Sequence, residues 1–447
     1  MTRSSNARMR ASRKAPTLLR AIGGQVPLRW VVCAIGLAIA TLHPAALAAQ
    51  SLFGCRDLSS AQTPTLEGRQ GVFFRIDPDL LTYNRFSDEI VASIGVLSRN
   101  LAEKGTTLIV VPVPAKALAM PQFLGPDTAA YGYDPALALT IYEDTLARLK
   151  SAGVEAIDAR HALRTSVSGE MAFFMADPRL TNAGLLALAQ EIAGRLHTAP
   201  ANEGTAVYVS EPTGARTLPS QDRLNLQMHC LTPLPDVTTM GFETVGEDPA
   251  PAEGATPVIV VGTELTGAPE LNFAGFLSEL SGLKVDQLSV PGDPIAALSA
   301  YLTSEGYLEN QPEFLVWEVP SWANLGLRGD QPLREVTAAA RNDCSEDLVV
   351  TQAAQNRVRV DLSGIAPDGT SSLRLDTGAG APARADFHFV SKTGAERTRP
   401  VMRAEGQPLT GRFFMPLTGL WPDGTASVEI ETVIDPDALP QVALCRG

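Results

Sequence analysis

The chain has 447 residues, 45% of them hydrophobic and 19% charged, an ordinary globular composition long enough for two or three domains with cores of their own. Its net charge of −13 excludes nucleic acid as the expected partner, because phosphate binding needs a cationic face. That charge still permits a local basic groove for an anionic polymer.

Residues 1–48 read as an export signal. Seven basic residues from Arg3 to Arg29 precede an apolar run, Trp30 to Leu42, which ends at His43-Pro44; Ala46-Leu47-Ala48 then supplies a small-residue cleavage site. The run is short for a membrane span. The expectation is therefore a periplasmic product with no stable membrane insertion after cleavage, and the alternative is a retained anchor. Cleavage removes Cys33 and leaves Cys55, Cys230, Cys344 and Cys445. An even number in an exported chain implies disulfides. Three pairings are open, and the sequential one gives each of two domains its own bridge. There is no CxxC or HExxH motif, so no metal site and no cofactor are expected.

A short strand is predicted over 71–76. Ile90, Val91, Ile94, Leu97 and Leu101 then recur at helical spacing from Asp88 to Lys104, with Gly105 as the stop. Thr107 to Val113 is the strongest strand signal. It is followed by a helix over Pro135–Lys150, a strand over Val154–Ile157, and a helix opening at Thr181 or Asn182 and running to Leu196. Residues 198–255, rich in Pro, Thr and Gly, read as an insertion held through Cys230, with a possible strand at Thr205–Val209. The alternation resumes with a strand over Pro257–Val261, a helix from Asn272, a strand over Leu283–Leu288, a helix over Pro294–Leu302 and a last core strand, Phe314–Val319. Such alternation predicts an α/β domain over 49–340 with a mainly parallel sheet.

From about residue 341 the texture changes. Arg357–Leu362, Ser372–Leu375 and Ser427–Glu431 alternate with period two, and Pro367-Asp-Gly369 and Pro422-Asp-Gly424 carry turn chemistry. A C-terminal β-sandwich over 341–447 is expected.

Pro257–Val261, Gly262 and the following helix make the strand, turn and helix at which an α/β sheet presents a nucleophile. A serine would be expected after Gly262-Thr263; the residue is Glu264. Thr263 and Asn272 are candidate oxyanion donors beside the N–H groups of the Gly262 turn, with a helix cap as the alternative for Asn272. Lys116, after the Thr107 strand, is a candidate substrate contact, with a solvated loop lysine as the alternative.

Val110-Val-Pro-Val-Pro-Ala-Lys116, Phe174 to Gly184, Val260-Val-Gly-Thr-Glu264, Leu271-Asn-Phe-Ala-Gly-Phe276 and Val316-Trp-Glu-Val-Pro320, in that order, resemble the alginate O-acetyltransferase proteins of the AlgX/AlgJ type. The resemblance implies an SGNH-hydrolase-like domain, a C-terminal carbohydrate-binding module as in the AlgX branch, one disulfide per domain, and acetyl transfer to an exported polysaccharide. The family pattern places Asp-x-His-Trp before a helix and Gly-x-Ser after the later strand, for a serine nucleophile, a histidine base and an orienting aspartate. Carried over, the aspartate is Asp177, the histidine position holds Arg179, the tryptophan position Leu180 and the serine position Glu264. Arginine stays protonated and removes no proton. His161, His197, His229 and His388 lie outside both motifs.

The substitutions suggest an Asp177–Arg179–Glu264 ion network in place of the triad, read either as a structural plug or as a polar site that still holds a sugar. In the tail, Arg403, Arg412 and Trp421, with Arg384, His388, Arg397, Arg399 and Phe413, are candidate contacts to a uronate polymer. The function expected is a polysaccharide-binding protein of an alginate-type O-acetylation system, partnered by an anionic polysaccharide and other periplasmic acetylation or export proteins. The alternatives are an active O-acetyltransferase using other residues and a structural partner of the export complex.

Overall fold

The computed structural model describes residues 51–164, 170–196, 207–247, 257–366, 369–378, 380–435 and 438–446. The leader at 1–48 and part of the Pro367-Asp-Gly369 turn lie outside them.

A small hairpin, β1 (Thr65–Glu67) and β2 (Phe73–Arg75), leads into a single helical turn, α1 (Ile76–Asp79). Ser87 accepts from the Ile90 N–H and opens α2 (Asp88–Glu103), whose five predicted apolar positions are all buried. The helix stops where Gly105 takes a φ of 83°, open to glycine without strain. Then come β3 (Thr107–Val113), α3 (Lys116–Ala119), α4 (Pro135–Ser151), β4 (Glu155–Ala156), α5 (Ala159–Arg164) and α6 (Asn182–Leu196). Asp134 caps α4 through the Ala136 and Leu137 N–H groups, as a short acidic side chain before a proline-led helix should.

The insertion is a long antiparallel ribbon, β5 (Val207–Thr217) with β6 (Thr238–Glu247), and α7 (Gln221–Gln227) lies in its connection. The ribbon packs on later helix residues; Phe242 meets Phe276 edge to face at 5.1 Å. The α/β pattern returns with β7 (Val258–Gly262), α8 (Glu264–Gly267), α9 (Phe273–Ser281), β8 (Val285–Ser289), α10 (Pro294–Leu302), α11 (Glu305–Glu309), β9 (Phe314–Pro320) and α12 (Gln331–Arg341).

The main sheet runs β4-β3-β9-β7-β8, parallel throughout. β9 is last in the chain and lies between β3 and β7. Ile109, Val111, Val258, Val260 and Val316 feed the core on one face; Leu108, Val110, Ile259, Val261 and Trp317 feed the other. Both faces are covered, which is why these strands read as unbroken apolar runs.

The tail is a sandwich of two antiparallel sheets. One holds β10 (Cys344–Asp347), β18 (Gln441–Cys445), β13 (Ser372–Asp376) and β16 (Arg412–Pro416); the other holds β11 (Val350–Ala354), β12 (Arg357–Asp361), β17 (Thr425–Glu431), β14 (Arg384–Ser391) and β15 (Glu396–Met402). Val358, Val360, Leu373, Leu375, Phe387 and Phe389 are among the side chains packed between them. The Pro422-Asp-Gly424 turn is present, with the Gly424 N–H on the Trp421 carbonyl at 3.1 Å. Cys55 bonds Cys230 and Cys344 bonds Cys445, the sequential pairing. Phe414 and Cys445 also pack into the core beneath α12. No helix among the described residues is long and apolar enough to cross a membrane.

Candidate functional site

The carboxyl ends of β3, β7 and β9 form the crest of the sheet, where α/β folds hold their ligands. Asp177 and Arg179 reach it from a tight excursion closed by the Phe173–Leu180 bridge. The Arg179 guanidinium grips Asp177 through two bonds of 2.8 Å, its own N–H adds a third at 2.9 Å, and its remaining reach goes to the Pro219 carbonyl at 2.9 Å. Burial opposes ionisation of Asp177, yet the Arg179 guanidinium, the Ser220 hydroxyl and the Arg179 N–H hold its carboxyl below the usual range. Asp177 in turn keeps Arg179 protonated beyond its ordinary range.

Glu264 takes a different partner. It is exposed and accepts the Gly292 N–H at 2.7 Å. Among the described residues no ion pair joins it to Arg179, so the three-member network is corrected to an Asp177–Arg179 pair with Glu264 apart. The reason is the short Asp-x-Arg spacing: it folds the guanidinium back on its own aspartate, while the turn after β8 offers Glu264 a backbone donor.

The oxyanion candidates are also engaged. Thr263 is 1% exposed; its N–H donates to Glu318 at 2.7 Å and its hydroxyl at 2.9 Å. Neither donor is free for a ligand. A Cβ on Gly262 would lie 2.6 Å from the Glu318 carboxylate, so glycine serves close approach there. Asn272 sits at the start of α9 with a φ of 54° and makes no side-chain cap; its amide donates to Thr244 of the ribbon at 2.8 Å. Lys116 is not a solvated loop lysine; it lines the floor of a crest cavity shared with Arg75, Asp79, Asp177 and Asp222. It is 1% exposed and donates to the carbonyls of Phe174, Met175 and Asp177, because the chain turns directly from β3 into α3 beneath that excursion. Burial pulls its ammonium down to about 8.

Sequence reasoning passed over three crest residues. Glu318 is fully buried and pushed up to about 7 by burial; the signal was a charge inside the apolar run Phe-Leu-Val-Trp-Glu-Val-Pro. Arg75 is locked to Asp79 at 2.9 Å and lies over the Trp322 ring at 5.6 Å.

On the sandwich, two polymer candidates have other duties. Arg403 is 8% exposed and holds Glu335 of α12 through bonds of 2.7 and 2.8 Å; its guanidinium lies 4.5 Å above the Phe413 ring, itself buried. This is a seam between domains, and the long-range pairing left no local trace in the sequence. Arg412 pairs with Asp376 at 2.8 Å across neighbouring strands. Trp421 is half-buried against the sandwich core, with the exposed Arg397 guanidinium 5.4 Å from its ring.

The sequence of 65–321 matches the model of the SGNH hydrolase-like domain, acetyltransferase AlgX. The chain is 28% identical over 400 residues to the alginate biosynthesis protein AlgX of Pseudomonas aeruginosa, covering 85% of this chain and 82% of that protein. It is 27% identical over 274 residues to a probable alginate O-acetylase AlgJ of Pseudomonas fluorescens, covering 57% and 68%. In structure it resembles Pseudomonas aeruginosa AlgX with a TM-score of 0.72, at 24% identity over 86% of this chain and 95% of the other. The O-acetyltransferase domain of Pseudomonas putida AlgJ aligns with a TM-score of 0.51 at 22% identity, covering 61% and 98%. These two likenesses speak for the fold. The match across more than half of the chain, on the parallel sheet and crest described above, identifies the protein as a member of the AlgX acetyltransferase family with its SGNH hydrolase-like domain.

Proposed function

We propose that this protein is a periplasmic polysaccharide-binding member of an alginate-type O-acetylation system, with a degenerate triad at Asp177, Arg179 and Glu264. The observation that carries this reading is the Asp177–Arg179 pair. A permanently charged guanidinium occupies the base position and is saturated by its own aspartate, so no group there accepts a proton from an attacking hydroxyl. The exposed Glu264 lacks that activation. The two disulfides suit an oxidising compartment. Polymer contact falls to the sandwich, where the exposed Arg397 lies against Trp421 and offers charge and ring face to a uronate.

The test is paired. The mature chain is incubated with a chromogenic acetyl donor and oligouronate, alone and as Arg179→His with Glu264→Ser; separately, its retention by polyuronate is followed by affinity electrophoresis. The reading expects no transfer above the blank for the natural chain, and polymer retention lost in Arg397→Ala with Trp421→Ala. Transfer that persists in Arg179→Ala with Glu264→Ala would place the chemistry elsewhere and overturn it.

A further inference from the structure

A second cleft, of about 690 Å³, lies at the seam between the α/β domain and the sandwich, away from the crest. One wall is α2, through Ser93, Val96 and Asn100; the other is α12, through Arg334, Thr337 and Arg341; Thr418 of the sandwich closes it. The positions on α12 fall at i, i+3 and i+7, one helical face. Arg334 and Arg341 therefore project into the same space by construction.

Positive charge here exceeds its compensation. Arg334 and Arg399 donate to the same oxygen, the Thr418 carbonyl, at 2.6 and 3.0 Å. Arg399 and Arg397 in turn share the Gly419 carbonyl at 2.9 and 2.6 Å. Three guanidiniums are thus strung along two backbone oxygens. Burial, and then repulsion from Arg334 and Arg397, pulls Arg399 down to about 10. The acids nearby are weak partners: Asp330 is 3.4 Å from Arg334, Glu103 is 3.9 Å from Arg341, and both are mostly exposed. Arg341 is otherwise held by Asn100 at 3.2 Å, and Asn100 by the Thr337 carbonyl at 2.8 Å, so the cleft wall is set before any ligand arrives. Arg334 also donates to the Thr418 hydroxyl at 2.9 Å, whereas Arg341 is engaged, among the described residues, only by Asn100 and the distant Glu103, and its guanidinium suits a planar carboxylate.

We infer that this seam cleft binds the carboxylate of a single uronate unit, with Arg334 and Arg341 as its anchors and Thr418 beside them. The inference rests on the polysaccharide-binding reading and gives it a second site, one that spans both domains. A bound unit then ties α12 to the 416–420 segment.

The test is calorimetry on the mature chain with a short oligouronate, its carboxyl-reduced neutral counterpart and inorganic phosphate. Two variants probe the cleft. Arg341→Gln removes one anchor; Val96→Glu places a carboxylate at the mouth from an exposed helix position, where the fold is undisturbed. The uronate should bind, weakening about tenfold or more in either variant, as expected for one charge-assisted hydrogen bond, and weakening as salt rises. The neutral counterpart should not bind. Unchanged affinity in Val96→Glu, or equal binding of the neutral sugar, overturns the assignment. Full displacement by phosphate at equal concentration would make this a simple anion site and overturn it also. Trp421→Ala alone, which leaves all three guanidiniums in place, separates the two proposals: short-oligomer binding without any long-polymer retention by the natural chain sinks the function proposed above and leaves the cleft, whereas polymer retention that Trp421→Ala weakens, without any short-oligomer binding, sinks the cleft alone.

Discussion

Arg403, directly after β15, and Glu335 of α12 form a two-bond ion pair across the domain seam, with side chains 2% and 3% exposed. Ser299 of α10 also accepts from Arg403 at 3.0 Å, and the Phe414 N–H donates to Glu335 at 3.3 Å. A pair so dry survives only because each charge is met by its partner and by further hydrogen bonds. Its role is to seat the sandwich on the α/β domain. Arg403→Ala should cost about 3–5 kcal/mol, the usual penalty for stranding a buried charge, whereas Arg403→Met with Glu335→Leu should recover most of it. Urea denaturation of the two variants beside the natural chain measures this; equal losses in the single and double variants would mean the pair is not the seat.

Glu318 predicts a pH dependence. Its carboxyl receives the Thr263 N–H and hydroxyl, which favour the charged form, but burial outweighs them and pushes it from 4.5 to about 7. A carboxyl that holds its proton more tightly when folded stabilises fully below its unfolded pKa and loses that contribution as pH rises through the folded one. Stability should therefore fall by about 3 kcal/mol between roughly pH 4.5 and 7 from this group. Glu318→Gln keeps the shape and should flatten that slope. A denaturation series from acid to neutral pH that shows parallel curves for both proteins would reject the claim.

Gly262 stands against the same carboxylate. An added methyl would sit 2.7 Å from the Glu318 Cβ as well, inside any tolerated contact. Gly262→Ala should cost about 1–3 kcal/mol, as overpacking does, and more at a pH where Glu318 is charged. Thermal melts at acid and neutral pH measure both parts.

Local pattern carried the scaffold well. Thr107–Val113 and Pro294–Leu302 have the expected bounds, because an apolar run between turn signals, or a proline-led run after Asp293, needs no distant information. The ribbon was harder. Thr205–Val209 pointed to β5, but β6 went unseen: the ribbon is largely exposed along its first strand, so no buried face imposed an alternating pattern. The crest was legible in part. Asp-x-Arg and Gly-Thr-Glu were visible in the sequence, while the partner of Glu264 was not, since the Gly292 N–H is supplied by a turn 28 residues on. Arg403 misled for the same reason: its partner is 68 positions away, and a lone arginine in a strand-rich tail looks like surface.

Lys116 is the most buried cation of the crest and carries the last prediction. Its ammonium spans three carbonyls, at 2.6 Å to Phe174, 2.9 Å to Met175 and 3.4 Å to Asp177, and so holds the excursion that brings Asp177 to Arg179. Lys116→Met fills much of the space but leaves those oxygens bare, at about 1–3 kcal/mol for each buried group left unsatisfied. The loss should be focused on the excursion, so amide exchange over 173–180 should quicken far more than over β3. The pH response should run opposite in origin to that of Glu318. Burial lowers the Lys116 ammonium from 10.5 to about 8, so the unfolded chain binds more protons in that window and stability should rise with pH from about 8 to 10.5. Lys116→Met should abolish that rise. A variant whose exchange over 173–180 stays at the natural rate, and whose alkaline slope is intact, would show that the three carbonyls are satisfied without the lysine and that the Asp177–Arg179 pair needs no support from beneath.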